Sequence, residues 1–394
     1  MSGPHIELTS EQQDLVSRLC EWYRNSDQQT FSYTGAAGTG KTTVIRAFIE
    51  ELHIKKYVAC AFVGKAVTVL SRQGLPASTI HSLIYNVGWI PVKDDDGNPV
   101  LKEDGTPKMK VEFALKSHIN GHPQLIIVDE ATMVNDDLAE DILSFGIKTV
   151  FIGDCNQLHP VFGISSVMLY PNFRLTKIMR QAEGNPIVYL SQRVLKRQPL
   201  IPGNYGQSRV LQSLQLHDNF REYDTIIAAR NSERDRINNH IRHNVLKIRS
   251  PYPVMGDRLI CRQNDWSRSL EGDLYLTTGM TGTVLSVDRS LGGSRFMSID
   301  FKPDISRDEF YNLPLDMNYI KLDYEDRKLY GFSHYEKFEY GYAVTCHACQ
   351  GSQYDRVLYL CQWFHDADLT TKVNYTAITR AVECIDITYN LIYV

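Results

Sequence analysis

The chain has 394 residues, with 42 Lys and Arg against 46 Asp and Glu, a formal charge of −4. At roughly 100–200 residues per domain this length calls for two or three cores. So small a net charge excludes a basic nucleic-acid coat and leaves any phosphate-backbone contacts to a local patch. A content of 43% hydrophobic and 22% charged residues excludes wholesale disorder. No apolar run reaches the roughly 18–20 residues of a membrane span, the start MSGPHIE has neither a basic nor an apolar leader region, and eight scattered cysteines fit reduced thiols. The expectation is a soluble, cytoplasmic protein with no membrane partner.

Residues 30–34 predict a short strand. A glycine-rich turn follows, and Val44, Ile45, Phe48, Ile49 and Leu52 then repeat at helical spacing over 42–53. Residues 57–63 read as a second buried strand and 64–72 as a helix. Segment 89–110 carries turn signals at Asp96-Gly97-Asn98-Pro99 and Asp104-Gly105-Thr106-Pro107, which predict a projecting β-hairpin or a solvated surface loop. Residues 125–128 and 149–152 are β-branched runs flanking a helical stretch at 135–145. Strand–helix alternation is the pattern of a parallel sheet covered by helices, and gives one α/β lobe over 1–88 and 111–182. A second α/β lobe, 183–251 and 341–394, is predicted from strands at 224–229, 357–361 and 385–393 and helices at 232–246 and 372–381. Between its parts, 252–340 has short alternating runs (274–277, 282–287, 296–301) separated by Gly, Asp and Pro, which predict an inserted β-barrel.

The strongest chemical signal is Gly35-Ala-Ala-Gly38-Thr39-Gly40-Lys41-Thr42, which fits G-x-x-x-x-G-K-[ST] between a strand and a helix. Its glycines let backbone N–H groups close on phosphate oxygens, and the helix N-terminus adds its dipole. Lys41 would reach the β/γ-phosphates and the Thr42 hydroxyl would ligate Mg²⁺. Asp129 and Glu130 end an apolar strand, where Asp129 would hold Mg²⁺ and Glu130 polarise water; as a bare pair they could equally cap the next helix. Gln157, in Gly153-Asp-Cys-Asn-Gln-Leu-His-Pro160, can donate to a γ-phosphate and accept from water, although by composition the segment is a turn. Arg180 and Arg380 stand apart from charge runs and suit the arginine-finger role, in which a planar guanidinium meets transition-state charge; as a type, arginine is more often a surface residue. Cys346-His347-Ala348-Cys349 has no second C-x-x-C to complete a tetrahedral zinc site.

Taken in order, these segments resemble superfamily-one helicases of the 5′→3′ group, on the phage Dda and bacterial RecD-like branch, collinearly over nearly the whole chain. Glu7-Leu-Thr-Ser-Glu-Gln12 is similar to the adenine-reading Q motif, GAAGTGKT to motif I, and Ser78-Thr79-Ile80-His81-Ser82 to motif Ib. VDEAT is similar to motif II, GDCNQLHP to III, LTKIMRQ to IV, the segment from Thr345 through Ser352 to V, and YTAITRA to VI. The inserted β segment resembles the group's SH3-like insertion. The resemblance implies two RecA-like lobes with ATP and Mg²⁺ in the cleft. Gln12, Gly35, Gly38, Thr39, Gly40, Lys41, Thr42, Thr43 and Gly351 would bind nucleotide, and Arg380 would complete a site holding Lys41, Asp129, Glu130 and Gln157, with Arg180 near the lobe junction. Single-stranded DNA would lie across both lobes, on Phe62, Gly64, Lys65, Thr79 and His81 on one side and Thr345 and His347 on the other. The 89–110 hairpin would be the strand-separating pin, with Trp89 or Val100 as its apolar wedge.

The implied activity is ATP-dependent 5′→3′ translocation on single strands and unwinding of forked DNA. A monomer would perform it, beside replication, repair or recombination proteins, in a host cytoplasm if the source is a bacteriophage. Departures from the pattern are Phe62-Val63 where Pro-Thr is usual, His159 where Pro is frequent, and a pin with no aromatic tip. The rival readings are a translocase that strips bound proteins with little unwinding, and a P-loop phosphotransferase or switch.

Overall fold

The computed structural model describes residues 8–92, 97–101, 107, 109–159, 163–178, 184–270, 274–289, 296–330 and 335–393. Helix α1 (Ser10–Asn25) opens on a capping box, in which Thr9 takes the N–H of Gln12 and the Gln12 side chain takes that of Thr9. It leads into β1 (Thr30–Gly35), α2 (Lys41–Glu51), β2 (Tyr57–Ala61), α3 (Gly64–Arg72) and β3 (Ala77–Thr79). After β4 (Tyr85–Pro91) and β5 (Met109–Leu115) come β6 (Leu125–Asp129), β7 (Lys148–Gly153) and β8 (Phe173–Leu175). Six of these strands form a parallel sheet in the order β3-β2-β6-β7-β1-β8. Strand periodicity divides β6 between two cores: Leu125 and Ile127 face α1 and α2, while Ile126 and Val128 face the helix Asp136–Leu143. Because the strands are parallel, the turns after β1, β6 and β7 emerge along one edge, where such sheets place their ligands.

The hairpin is real as a structural element but runs from 85 to 115 rather than 89 to 110. β4 and β5 pair antiparallel from Tyr85↔Leu115 to Pro91↔Met109. Trp89 pairs with Val111 and so belongs to the paired stem, below the turn. The Val100 N–H donates to the Val92 carbonyl at 2.8 Å. Residues 93–96, 102–106 and 108, which include most of the expected tip, lie outside the described residues.

A second mixed sheet orders Ala343–Thr345, Thr225–Ala228, Tyr354–Leu360, Ala381–Thr388, Ser208–Leu211 and Gly203–Tyr205, antiparallel only at its last pair. Its last expected strand is two, since Leu391–Tyr393 leaves the sheet to pair with Leu214–Leu216. The expected helix at 232–246 is α-helical over Asn231–Asn239 and π-helical over His240–Val245. The helix expected at 372–381 runs Ala367–Ile378, because the Asp366 carboxylate caps it early and Thr379 ends it.

The inserted region forms a five-stranded antiparallel sheet around Phe301, Phe338, Leu313 and Leu315. Buried ion pairs fix it to the second sheet unit: Arg234 to Glu339 at 2.8 Å and Arg242 to Asp257 at 3.1 Å, with the Tyr342 hydroxyl donating to Asp257 at 2.6 Å. Removing Arg242 would leave the buried Asp257 charge without its counter-ion, whereas Arg234 and Glu339 each keep a second ionic partner, in Asp235 and Arg262. Within the same region burial, aided by Asp265, raises the Glu336 carboxyl to about 9. The native state thus keeps a proton that the unfolded chain releases near 4.5, so this stability is whole below that pH and is lost as pH rises towards 9. Melting temperature is expected to fall between pH 5 and 9, and Glu336→Gln to flatten that fall; an unchanged slope would refute the assignment. Among the described residues no helix is long and apolar enough to cross a membrane.

Candidate functional site

At the edge of the first sheet Gly38 and Gly40 take φ of 82° and 79°, a left-handed region that favours glycine, and they wind the loop directly into α2. A side chain at Gly35 would be as unwelcome, since a Cβ there would sit 2.4 Å from Thr39 Oγ1. The loop holds itself together through Thr39 Oγ1 donating to Ala36 O and Lys41 Nζ donating to Gly35 O, both at 2.8 Å. Above it lies a cavity of about 470 Å³. Gly38, Gly40, Lys41, Thr42, Thr43, Asp129, Glu130 and Gln157 line it from the first unit, Gly351 and Arg380 from the second. Gly35 and Thr39 lie behind this lining and shape it. Arg180 falls outside the described residues.

Gln12 lies behind the loop 35–41. It is buried and does not line the cavity; its amide donates to Thr39 O at 2.9 Å and accepts from the Thr9 N–H at 2.9 Å. So held, it braces the loop 35–41 from below.

Glu130 is a non-glycine residue at φ 49°, ψ 39°, a conformation that costs about 1 kcal/mol or more and persists where surroundings over-determine it. It turns the chain between β6 and the following helical turn. Burial first, then the Glu130 charge, raise the Asp129 carboxyl, while Lys41 opposes them. A cation at Asp129 would relieve that strain, and the hard oxygens of Thr42 and Asp129 suit Mg²⁺, which needs few protein ligands beside phosphate and water.

The two sheet units meet around this cavity. Arg380 is buried, held by Thr376 O at 3.1 Å, Ser352 O at 3.3 Å and Thr379 Oγ1 at 3.3 Å, and its Nη1 lies 3.8 Å from Glu130 Oε1. Gly351 (φ 68°) sits where a Cβ would fall 2.2 Å from Val63 Cγ2, so the units touch backbone to side chain there. Lys372 Nζ approaches His159 Nε2 at 2.6 Å, so the histidine that replaces the usual proline also spans the junction.

A second cavity of about 480 Å³ runs along the same junction. Phe62, Val63, Gly64, Thr79 and His81 line one wall and His347, Gln350 and Ser352 the other, with Arg262, Asn264 and Ile305 of the inserted sheet joining them. Thr345 is buried behind this lining, and its hydroxyl takes the Ala348 N–H at 3.3 Å, shaping the turn that presents His347. Thr79 lines the groove while capping the helix Ile80–Ile84. Burial lowers the pKa of both His81 and His347, which favours neutral imidazoles in the groove. Nothing is described of the Lys65 side chain.

Phe62, 37% exposed, packs edge-on to His81 at 5.8 Å, and His81 in turn meets Tyr85 and Phe113. This aromatic cluster at the hairpin base was not foreseen for Tyr85 and Phe113, because only the β4–β5 register brings residue 113 to residue 85. Arg262 and Asn264 likewise carry no local signal. Cys346 and Cys349 are buried free thiols in the second unit's core, with Cys349 Sγ donating to Cys346 O.

Comparison with known proteins matches this architecture. Residues 7–199 fit the family described as AAA domain, and residues 340–383 fit the UvrD-like helicase C-terminal domain. The ATP-dependent RecD2 DNA helicase of Deinococcus radiodurans is 26% identical over 408 residues, covering 95% of this chain and 48% of the relative. Pif1 of Bacteroides bound to ssDNA superposes with a TM-score of 0.51 at 18% identity, covering 97% of this chain and 92% of that one. The Bacteroides Pif1 complex with ADP-AlF3 and ssDNA gives 0.50 at 17%, covering 99% and 93%. These likenesses show a two-unit α/β fold. The chain spans between a third and a half of the length of the curated relatives it matches.

Proposed function

We propose that this chain is an ATP-dependent motor that moves 5′→3′ along single-stranded DNA and unwinds the duplex ahead. One observation carries the reading: the two cavities are built from the same short stretches of chain. Val63 and Gly64 line the groove while Ala66 lines the nucleotide cavity, and Gln350 and Ser352 line the groove while Gly351 between them lines the nucleotide cavity. Any displacement of the units that closes one cavity must therefore reshape the other, which is how hydrolysis and stepping become one event. The relative described as an ATP-dependent DNA helicase and the neighbours bound to ssDNA and ADP-AlF3 support the choice of ligands. Polarity rests on the family likeness.

In this reading Lys41 and the phosphate-loop amides bind the triphosphate, Glu130 orients the attacking water, Gln157 senses the γ-phosphate, and Arg380 meets the charge developing on it. Thr42 and Asp129 would hold Mg²⁺, whose charge offsets that of the phosphates. The groove would grip the strand through neutral imidazoles, hydroxyls and the Phe62 ring, contacts that hold a backbone and stack on any base without reading sequence. Phe62→Ala is expected to weaken single-strand affinity by about 1–3 kcal/mol, a value typical of one base–aromatic stack. Fluorescence anisotropy with a labelled oligonucleotide checks this, and unchanged affinity would remove Phe62 from the contact.

Strand displacement on duplexes bearing only a 5′ or only a 3′ tail, with and without ATP, tests the reading. Displacement confined to the 5′-tailed substrate with ATP is the expected result; ATP hydrolysis indifferent to oligonucleotide would favour a nucleotide switch. The 85–115 hairpin would act as the strand-separating pin and the inserted sheet as the SH3-like element. Shortening the hairpin by deleting 93–107 should abolish displacement while strand-stimulated hydrolysis survives. Unwinding that persists would leave a translocase whose hairpin is only a loop. We also read the chain as a first lobe up to residue 182, from which the hairpin projects, and a second lobe over 183–251 and 341–394, acting as a monomer.

A further inference from the structure

Tyr375 does not line the nucleotide cavity, yet it joins the loops that do. It is fully buried in the helix Ala367–Ile378. Its hydroxyl accepts the N–H of Ala37, in the phosphate loop, at 2.8 Å and donates to Asp154 Oδ2 at 2.5 Å. The other oxygen of Asp154 takes both the N–H and the side-chain amide of Asn156 at 3.0 Å, and its carbonyl takes the Gln157 N–H at 2.9 Å. One buried carboxylate thus shapes the turn that carries Gln157, and its remaining donor comes from the opposite sheet unit. The next residue, Leu158, leaves its own unit altogether: it packs with Ile187, Leu190 and Val344 in the second unit's core. There its N–H donates to Thr376 Oγ1 at 3.1 Å and its carbonyl accepts from Gln350 Nε2 at 2.8 Å.

We propose that Tyr375 is a positioning residue, a latch that ties the phosphate loop and the 153–158 loop to the segment bearing Arg380, so that Gln157 and Arg380 reach the terminal phosphate together. The inference rests on the nucleotide-hydrolysis reading above. A hydroxyl has a single proton, and here Asp154 takes it while Ala37 occupies a lone pair. Hydrogen bonds of this kind weaken steeply once geometry is lost. Moving either loop without the helix would take the Tyr375 donor from the Asp154 Oδ2 atom or the acceptor from the Ala37 N–H. The arrangement therefore favours closed or fully parted units over intermediate ones.

The test begins with the unmodified chain, whose ATP turnover is measured with and without oligonucleotide; no hydrolysis in either condition would defeat the functional reading rather than the latch. Given stimulated turnover, Tyr375→Phe should lower kcat at saturating single strand about tenfold while KM for ATP stays within about threefold, the split expected when an interaction matters in the transition state and not in binding. Asp154→Asn should give a smaller kcat loss with KM retained. The double variant should be no slower than Tyr375→Phe alone, because both remove the same connection. Unchanged kcat in a folded Tyr375→Phe protein, a raised KM at constant kcat, or losses that multiply in the double variant would each overturn the proposal. Should Tyr375→Phe fail to fold, Asp154→Asn decides by itself: unchanged kcat overturns the latch, and reduced kcat at constant KM sustains it.

Discussion

Arg380→Ala is expected to lower strand-stimulated ATP turnover by about 10³-fold or more, with nucleotide affinity nearly unchanged, as for an arginine supplied across an interface to a transferring phosphoryl group. The large effect follows from how the side chain is held. Three acceptors on its own unit, Thr376 O, Ser352 O and Thr379 Oγ1, fix the guanidinium, and it still points across the junction to within 3.8 Å of Glu130. A donor fixed before the reaction needs no reorganisation when charge develops, which is where such groups contribute most. Arg380→Lys should recover little, since an ammonium keeps the charge but loses the planar fork. Steady-state turnover with saturating oligonucleotide, set beside equilibrium binding of a fluorescent nucleotide, separates the outcomes. Near-normal turnover in Arg380→Ala would remove the residue from the site.

Glu130→Gln should reduce turnover by about 10²–10⁴-fold, the usual contribution of a positioned general base. Gln keeps the shape and the left-handed backbone, so the folded structure should tolerate it. Its second consequence is more diagnostic. The Glu130 charge is one of the groups that raise the Asp129 carboxyl, so neutralising it should lower that pKa and strengthen Mg²⁺-nucleotide binding in mildly acidic solution. Calorimetric titration of Mg²⁺-nucleotide at pH 5.5 and 7.5 checks this: the variant should show a weaker pH dependence than the parent. Retained turnover together with an unaltered pH dependence would place Glu130 outside the chemistry.

Much of the site was legible before any fold was known, because its signals are local. The phosphate loop needs glycines at fixed offsets to turn left-handed, and the structure puts positive φ at Gly38 and Gly40 of that motif. An apolar strand ending in two carboxylates implies a buried sheet edge whatever surrounds it, and Leu125–Asp129 is such a strand. Helices shifted by several residues where capping outweighed periodicity, as Asp366 did. The Thr-Ser-Glu-Gln pattern that resembles a base-reading motif also forms a capping box, and the Gln12 amide is engaged with Thr9 and Thr39.

The sequence by itself determined which side chains can cradle phosphate, hold a dication and polarise water, since each of those capacities belongs to a residue type at a short spacing. Only the tertiary structure decided that Arg380 faces Glu130, that Leu158 is packed in the other unit's core, that Tyr375 joins Ala37 to Asp154, and that Phe113 joins His81 and Tyr85. These partners lie far apart along the chain. Contact between them depends on strand order, hairpin register and the packing of one sheet unit against the other, and no local propensity encodes such distances.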